Sequence, residues 1–312
     1  MSTEVGPTNT TVVQASARAR VAWREVVLFG VLAYGLAWGW SGFWLLPYLG
    51  DLLTRSTTPT DLVDRLGAVA VLPTMLAPMI AALIMRLFVS KEGLTGSLGL
   101  LRSWEYYLAA LVVPAVFATA VVLMVQLLGL GEFRWSEASW LVYLMLTLSA
   151  LPVALFTFGE EYGWRGYLLP RLLPLGEVKA TVLVGLIWGP WHAPLLLAGL
   201  NYPHVNFWVS FLVFAFVVVG LSFAYTWFYI ASGGSVLITA VLHASFNTFS
   251  DTFWVPPLLS GANQFTPSLV GGVVMVALVV LVYGIFKRPV RVEDADLYVR
   301  PKLDGTWRDW VR

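Results

Sequence analysis

The chain has 312 residues, of which 58% are hydrophobic and only 12% are charged. An average soluble domain carries about 25% charged residues, so this composition excludes an ordinary water-soluble globular protein, and its high apolar fraction excludes a disordered chain. The net charge of +1 leaves no basic block that would bind a nucleic acid. Cys is absent, which excludes disulfides, thiolate zinc sites and a Cys nucleophile. The composition therefore predicts a protein embedded in the lipid bilayer.

Runs of about 20 mainly apolar residues are long enough to cross a bilayer as helices. Such runs recur between clusters of charged residues, Pro and Gly, and they predict an all-α polytopic transmembrane helical bundle with about eight spans. The runs lie at approximately residues 25–49, 67–89, 104–129, 139–169, 179–200, 206–230, 235–250 and 267–287. The fourth run is long and carries charges at its far end, and the seventh is short for a full crossing.

The distribution of basic residues predicts how the bundle is oriented. Residues 1–24 form a polar N-terminal tail, and residues 288–312 form a charged C-terminal tail. With the N-terminus inside, 16 of the 19 Lys and Arg residues fall in inside segments and 3 in outside loops. Because Lys and Arg are enriched on the cytoplasmic side of membrane proteins, we expect a multi-pass protein of the cell membrane with both tails in the cytoplasm.

Three of the apolar runs contain ionisable or amide side chains, which are costly in lipid unless they have a partner or a function. These residues are Glu160, Glu161 and Arg165 in the fourth run, His192 in the fifth, and His243 and Asn247 in the seventh. Pro190 and Pro194 flank His192 and remove backbone donors, so we expect a kinked helix there. Freed carbonyl groups are tolerated where a bundle encloses water, which predicts a wet pocket around His192.

Helix geometry separates the roles of the two adjacent carboxylates. Glu161 and Arg165 are four residues apart, so they lie on one helix face and can form an ion pair. Glu160 points in another direction and is free to face a cavity. His243 and Asn247 are also four residues apart and can present one polar face. The spacing therefore predicts that Glu160 acts in chemistry and that Glu161 supports the structure.

A carboxylate, two imidazoles and a carboxamide in one buried pocket can activate water and stabilise an oxyanion, as the hydrolysis of an acyl bond requires. Alternatively, Glu160, His192 and His243 could bind zinc with an open fourth position, although the chain has no His-Glu-x-x-His helix. A second alternative is a non-catalytic membrane protein, such as a bacteriocin immunity protein, a scaffold or a transporter, that uses the pocket for binding.

The ordered set of polar motifs resembles the CPBP intramembrane protease family, also called the CAAX protease and bacteriocin-processing or ABI family. The motifs are Glu160-Glu161-x-x-x-Arg165, Trp188-x-x-x-His192 and His243-x-x-x-Asn247. Trp188 stands where the family usually has Phe, an exchange that keeps an aromatic ring for packing. On this resemblance, residues 25–287 are a CPBP-type protease domain with its motif core at residues 139–250.

The resemblance implies an intramembrane endopeptidase similar to the type II CAAX prenyl endopeptidases, which remove the last three residues of prenylated proteins. The implied roles are water activation by Glu160 and His192, an oxyanion site of His243 and Asn247, and structural support by Glu161, Arg165 and Trp188. The implied partner is a membrane-embedded or lipidated protein or peptide. No cofactor is expected for a glutamate-type mechanism, and zinc is the alternative.

Cysteine labelling tests the predicted orientation, because the natural chain contains no Cys. Thr8 and Gly305 lie in the two tails, so a Cys introduced at either position should react with a membrane-impermeant thiol reagent only after the cells are permeabilised. Labelling of either position from outside intact cells would contradict two cytoplasmic tails.

Overall fold

A computed structural model of the protein describes residues 20–48, 59–94, 97–98, 104–199, 202, 205–254, 258–262 and 265–286. Residues 1–19 of the predicted N-terminal tail and the whole predicted C-terminal tail, residues 288–312, lie outside the described residues. The described chain is almost wholly helical, which confirms the all-α class predicted from the sequence. The protein is a multi-pass membrane protein built as a helical bundle.

The helices, in chain order, are α1 (Trp23–Leu45), α2 (Pro59–Ile84), α3 (Trp104–Leu127), α4 (Trp140–Gly163), α5 (Leu169–Leu172), α6 (Glu177–Trp191), α7 (Ala193–Leu197), α8 (Phe207–Ala231), α9 (Val236–Phe253) and α10 (Phe265–Leu281). Short π-helical segments continue three of them, at Met85–Val89 after α2, Trp164–Leu168 after α4 and Val282–Phe286 after α10. Single 3₁₀ turns follow α1 at Leu46–Tyr48 and α5 at Leu173–Leu175. Two short strands, β1 (Glu132–Phe133) and β2 (Leu259–Ser260), pair antiparallel with Glu132 opposite Ser260.

The described chain contains six segments that are long and apolar enough to cross a membrane, so the predicted number of about eight spans is wrong. The six segments are Trp23–Tyr48, Val71–Val89, Trp104–Leu127, Trp140–Leu175, Phe207–Ala231 and Phe265–Ile285. The two predicted runs that do not qualify are residues 179–200 and 235–250. Both of them carry polar motifs.

These two runs fail for different physical reasons. The run at residues 179–200 is broken, because α6 ends at Trp191 after 15 residues and the five-residue α7 follows His192. Pro194 lies in the first turn of α7, where the missing proline N–H costs little. The run at residues 235–250 forms the 18-residue helix α9, but its Thr, Ser, His, Asn and Asp side chains make it too polar to qualify.

Close helix contacts bring the motif-bearing segments side by side. Helix α4 packs against α2 and α9, and α6 packs against α8. A Cβ atom on Gly159 of α4 would lie 2.7 Å from the backbone oxygen of Met75 in α2. A Cβ atom on Gly185 of α6 would lie 2.7 Å from Cα of Val219 in α8. Because only glycine permits these approaches, small residues set the spacing of the helices around the site.

A cluster of charged residues joins three segments at one end of the bundle. The Arg171 side chain donates from Nε to Glu25 at 2.6 Å and from Nη2 to Glu92 at 3.1 Å. Arg86 also forms an ion pair with Glu92. The cluster links the start of α1, the segment after α2 and α5. It lies at the end that the distribution of basic residues predicts to be cytoplasmic.

Candidate active site

A cavity of about 380 Å³ lies inside the bundle, with walls from α2, α3, α4 and the chain from α6 to α10. Five of the seven site residues predicted from the sequence line this cavity: Glu160, Trp188, His192, His243 and Asn247. Glu161 and Arg165 are fully buried and do not line it. The fold therefore brings side chains of all three motifs, which are far apart in the sequence, to one cavity.

Glu160 lies in the last turn of α4 and is 3% exposed. The indole N–H of Trp188, on α6, donates a hydrogen bond of 2.8 Å to Oε2 of Glu160. This contact holds one carboxylate oxygen against α6 while the side chain lines the cavity. A Phe at position 188 could pack in the same place but could not donate this hydrogen bond.

Glu161 points away from the cavity and holds two other motif residues together. Its Oε1 atom accepts a hydrogen bond of 2.9 Å from Nη1 of Arg165, the i, i+4 ion pair that the spacing predicts. The same oxygen lies 2.9 Å from Nδ1 of His243 on α9. One buried carboxylate therefore connects the first motif to the third.

Arg165 lies in the π-helical segment after α4 and is completely buried. Its guanidinium carbon lies 4.4 Å from the ring centre of Trp188 and 4.7 Å from that of Tyr225. Nη2 also donates to the hydroxyl of Ser222 at 3.3 Å. These cation–π and hydrogen-bond contacts compensate for the loss of water around the guanidinium and tie α4 to α6 and α8.

The hydrogen bonds of the two histidines indicate which ring nitrogen carries the proton. Nδ1 of His192 lies 3.0 Å from the carbonyl oxygen of Trp188, which can only accept, so Nδ1 is the donor. Nδ1 of His243 likewise donates to the Glu161 carboxylate. In the neutral form, each ring then has its lone pair on Nε2.

The histidine rings are held by aromatic neighbours. The ring of His192, at the break between α6 and α7, has its centre 4.7 Å from those of Trp191 and Phe214. The ring of His243 lies 5.4 Å from Trp188 and 5.3 Å from Tyr225. Edge-to-face and tilted ring contacts of this kind limit rotation of both imidazoles, so their hydrogen-bonding atoms are pre-oriented.

The arrangement does not fit the alternative zinc site. Within the described part of the chain, no three His, Asp or Glu side chains lie close enough together to hold one metal ion. Glu160, His192 and His243 therefore do not form a ligand set in this structure.

Two residues at the cavity were missed by the sequence analysis. Tyr225 of α8 lines the cavity and packs on both His243 and Arg165, and no sequence pattern points to it. Asp251 of α9 also lines the cavity. It follows Asn247 by four residues, so the helical spacing that linked His243 to Asn247 could have found it.

Comparison with known proteins identifies relatives of the motif-bearing region. Residues 138–249 match the model of the family described as type II CAAX prenyl endopeptidase Rce1-like. The chain is also 27% identical over 154 residues to CAAX prenyl protease 2 of Methanococcus maripaludis. That alignment covers 44% of this chain and 52% of the relative, so the chain matches about half the length of this curated protein. Both findings agree, over the matched region, with the similarity to the CPBP and CAAX protease family that the three motifs predict.

The variants Glu160→Gln and Glu161→Gln form a matched pair that tests which carboxylate supports the structure. Glu161→Gln leaves the buried Arg165 guanidinium without its counter-charge, and stripping one member of a buried pair costs about 3–5 kcal/mol. We expect the purified variant to have a lower yield and a melting temperature several degrees lower. Glu160→Gln should melt close to the wild type, because an amide oxygen still accepts from Trp188. Equal melting temperatures for the two variants would contradict the structural role of Glu161.

Proposed function

We propose that this protein is an intramembrane endopeptidase that hydrolyses a peptide bond of a membrane-associated, lipidated protein. The observation that carries the proposal is the convergence of Glu160, His192, His243 and Asn247 on one cavity inside a membrane bundle. The family of the motif-bearing region supports it, since the matching relative is a CAAX prenyl protease.

In this proposal Glu160 and His192 activate the water. Glu160 is positioned by the Trp188 indole, and the neutral His192 ring offers a lone pair on Nε2. Glu160 accepts a proton from the water while the water oxygen forms a bond to the carbonyl carbon of the scissile peptide bond. His192 orients the water by accepting, at Nε2, a hydrogen bond from its second O–H group. A tetrahedral intermediate with a negative oxygen results.

His243 and Asn247 then stabilise the negative oxygen. The Asn247 carboxamide donates from its N–H group, and a protonated His243 donates from Nε2 while its Nδ1–H remains bound to Glu161. The C–N bond breaks, and the proton held by Glu160 passes to the departing amine. The products are a carboxylic acid and an amine, which become a carboxylate and an ammonium group when the acid passes its proton to the amine, and Glu160 returns to its ionised state.

The walls of the cavity favour a lipidated substrate. Apart from the polar site residues, they consist mainly of aliphatic and aromatic side chains, among them Val71, Met75, Phe117, Phe214 and Val217. A bilayer-embedded cavity with such walls suits a peptide that carries an apolar chain and is already anchored in the membrane. The name of the matching relative points to a prenyl group, and we propose a prenylated protein as the substrate.

We also propose that the reaction needs no metal ion and that the protein acts in the cell membrane with both termini in the cytoplasm. Glu160 and His192 together already supply a base and an orienting group for water. The orientation rests on the distribution of basic residues in the sequence.

Cleavage of synthetic C-terminal peptides by the purified protein tests the proposed activity. The panel contains farnesylated, geranylgeranylated and unprenylated versions of the same sequences. Wild-type protein should cleave prenylated peptides, and Glu160→Gln should lower turnover by about 10²–10⁴-fold because it removes the general base. Glu137→Gln is the matched control, since this exposed carboxylate lies in the turn before α4 and does not line the cavity.

Three outcomes would count against this proposal. If folded Glu160→Gln stays active while folded Glu161→Gln is inactive, the roles of the two carboxylates must be exchanged. If both folded variants stay active, the carboxylate mechanism is wrong. If wild-type protein binds the peptides and cleaves none, a binding function is favoured over an enzyme.

Measurements of metal content and chelator sensitivity test the metal-independent mechanism. We expect well under one zinc ion per chain and unchanged turnover after treatment with 1,10-phenanthroline, because no step is assigned to a metal. Stoichiometric zinc, together with activity that is lost on chelation and restored by zinc, would contradict the mechanism and assign ligand roles to Glu160, His192 and His243.

A further inference from the structure

Tyr225 carries a hydroxyl group without a partner inside the candidate active site. The residue lies on α8, lines the cavity and is 1% exposed. No group among the described residues forms a hydrogen bond with its hydroxyl. Other hydroxyl groups of the described cavity wall do have partners: Ser250 donates to the backbone carbonyl of Asn247, and Tyr202 is hydrogen-bonded to Ser268. Tyr225 therefore offers a hydrogen-bonding group that is available to a ligand.

The Tyr225 hydroxyl is open to the cavity. Four buried hydroxyls elsewhere in the described bundle also have no partner, but protein encloses them completely and none of them lines the cavity; they belong to Thr181, Ser210, Thr226 and Ser245. The Tyr225 hydroxyl is not enclosed in this way, so a molecule in the cavity can reach it. A polar group in surroundings of low polarity costs free energy until it is hydrogen-bonded, and a Phe would pack here without that cost. The hydroxyl is thus better explained by a ligand than by the stability of the fold.

Packing places Tyr225 beside the groups that handle charge in the proposed reaction. Its ring centre lies 5.3 Å from that of His243 and 5.6 Å from that of Trp188, the residue that donates to Glu160. Its hydroxyl also interacts electrostatically with the carboxylates of Glu160 and Glu161. Tyr225 is therefore a neighbour of both the proposed oxyanion site and the proposed general base.

The Tyr225 ring is held by several neighbours, which limits the directions that its hydroxyl can take. Besides His243 and Trp188, the fully buried Arg165 guanidinium lies against the ring, with its carbon 4.7 Å from the ring centre. Hydrogen-bond donors that are fixed before the reaction stabilise a developing negative charge without a cost of reorganisation, and Tyr is one of the side chains that can serve in this way. The position of Tyr225 is suited to that role.

We propose that the Tyr225 hydroxyl is a third donor to the negative oxygen of the tetrahedral intermediate, beside His243 and Asn247. This inference rests on the proposed endopeptidase function. As the water oxygen bonds to the carbonyl carbon, the π electrons of the C=O bond move to its oxygen, and the phenolic O–H donates to that oxygen a hydrogen bond strengthened by the charge. The proton stays on the phenol throughout. Because the bond is stronger in the intermediate than in the bound substrate, it accelerates the chemical step rather than binding.

The variant Tyr225→Phe, which removes only the hydroxyl, tests the inference on farnesylated peptides. Loss of one oxyanion donor should lower kcat by about 10²–10³-fold, with KM unchanged. The melting temperature should stay at the wild-type value or rise, because the hydroxyl has no partner among the described residues. Tyr229→Phe is the matched control and should keep the wild-type kcat, since Tyr229 lies one turn further along α8, is buried and does not line the cavity.

Binding of a phosphinic peptide shows which state the hydroxyl contacts. In this farnesylated analogue, a tetrahedral phosphorus with a negative oxygen replaces the scissile carbonyl group. Tyr225→Phe should weaken its affinity by a factor similar to the loss of kcat/KM. The affinity of the ordinary peptide for Glu160→Gln protein should not change when Tyr225→Phe is added. A lower affinity for the ordinary peptide with kcat unchanged would overturn the inference, because the hydroxyl would then bind the substrate rather than the intermediate.

These measurements separate failure of the third donor from failure of the proposed function. If the wild type cleaves the peptides and Tyr225→Phe equals it in kcat and in affinity for the analogue, the third donor is overturned and the endopeptidase remains. If the wild type cleaves nothing, the endopeptidase is overturned, and weaker binding of the analogue by Tyr225→Phe still supports contact of the hydroxyl with a negative tetrahedral oxygen. Equal binding of the analogue by the two proteins, or none by either, then overturns both proposals.

Discussion

The buried ion pair between Glu161 and Arg165 is the interaction on which the candidate site depends. Both side chains are fully buried, and the pair joins α4 to the π-helical segment after it. The Glu161 carboxylate also contacts His243 of α9. The Arg165 guanidinium packs on the rings of Trp188 in α6 and Tyr225 in α8. A buried pair adds little net stability over apolar residues of the same size, but the loss of one partner is costly because the other charge is left buried and unpaired. In this bundle the pair sets how the motif-bearing helices face one another.

The polar site has a structural consequence for the helices that carry it. Helix α6 is short because the chain breaks at His192, and α9 is too polar to qualify as a membrane span by itself. Both helices are surrounded by the longer apolar ones: α9 packs on α3 and α4, and α6 packs on α8. The apolar spans therefore shield from lipid the polar groups that would be costly there, and the cavity forms among them.

The position of Trp188 shows how this chain differs from the usual pattern of the family that it resembles. An aromatic ring at this position packs against Arg165 and His243, as a Phe ring could. The indole adds an N–H donor that holds Glu160 at 2.8 Å. In our proposed mechanism the same residue orients the general base and, through its backbone carbonyl, His192. Trp188 thus contacts both groups to which the proposal assigns the activation of water.

The sequence by itself determined the membrane class, the all-α fold and five of the residues that line the cavity, because hydropathy and helical spacing are local properties. The i, i+4 rule predicted the contact of Glu161 with Arg165, and the geometry of adjacent positions predicted that Glu160 would face elsewhere. The number of spans was overestimated because apolar runs identify buried helices as well as crossing ones. Only the tertiary structure decided that His243 shares the carboxylate of Glu161, that Trp188 donates to Glu160, and that Tyr225 and Asp251 belong to the cavity. These contacts join residues on different helices, and their distances depend on packing at positions such as Gly159 and Gly185, which no local pattern encodes.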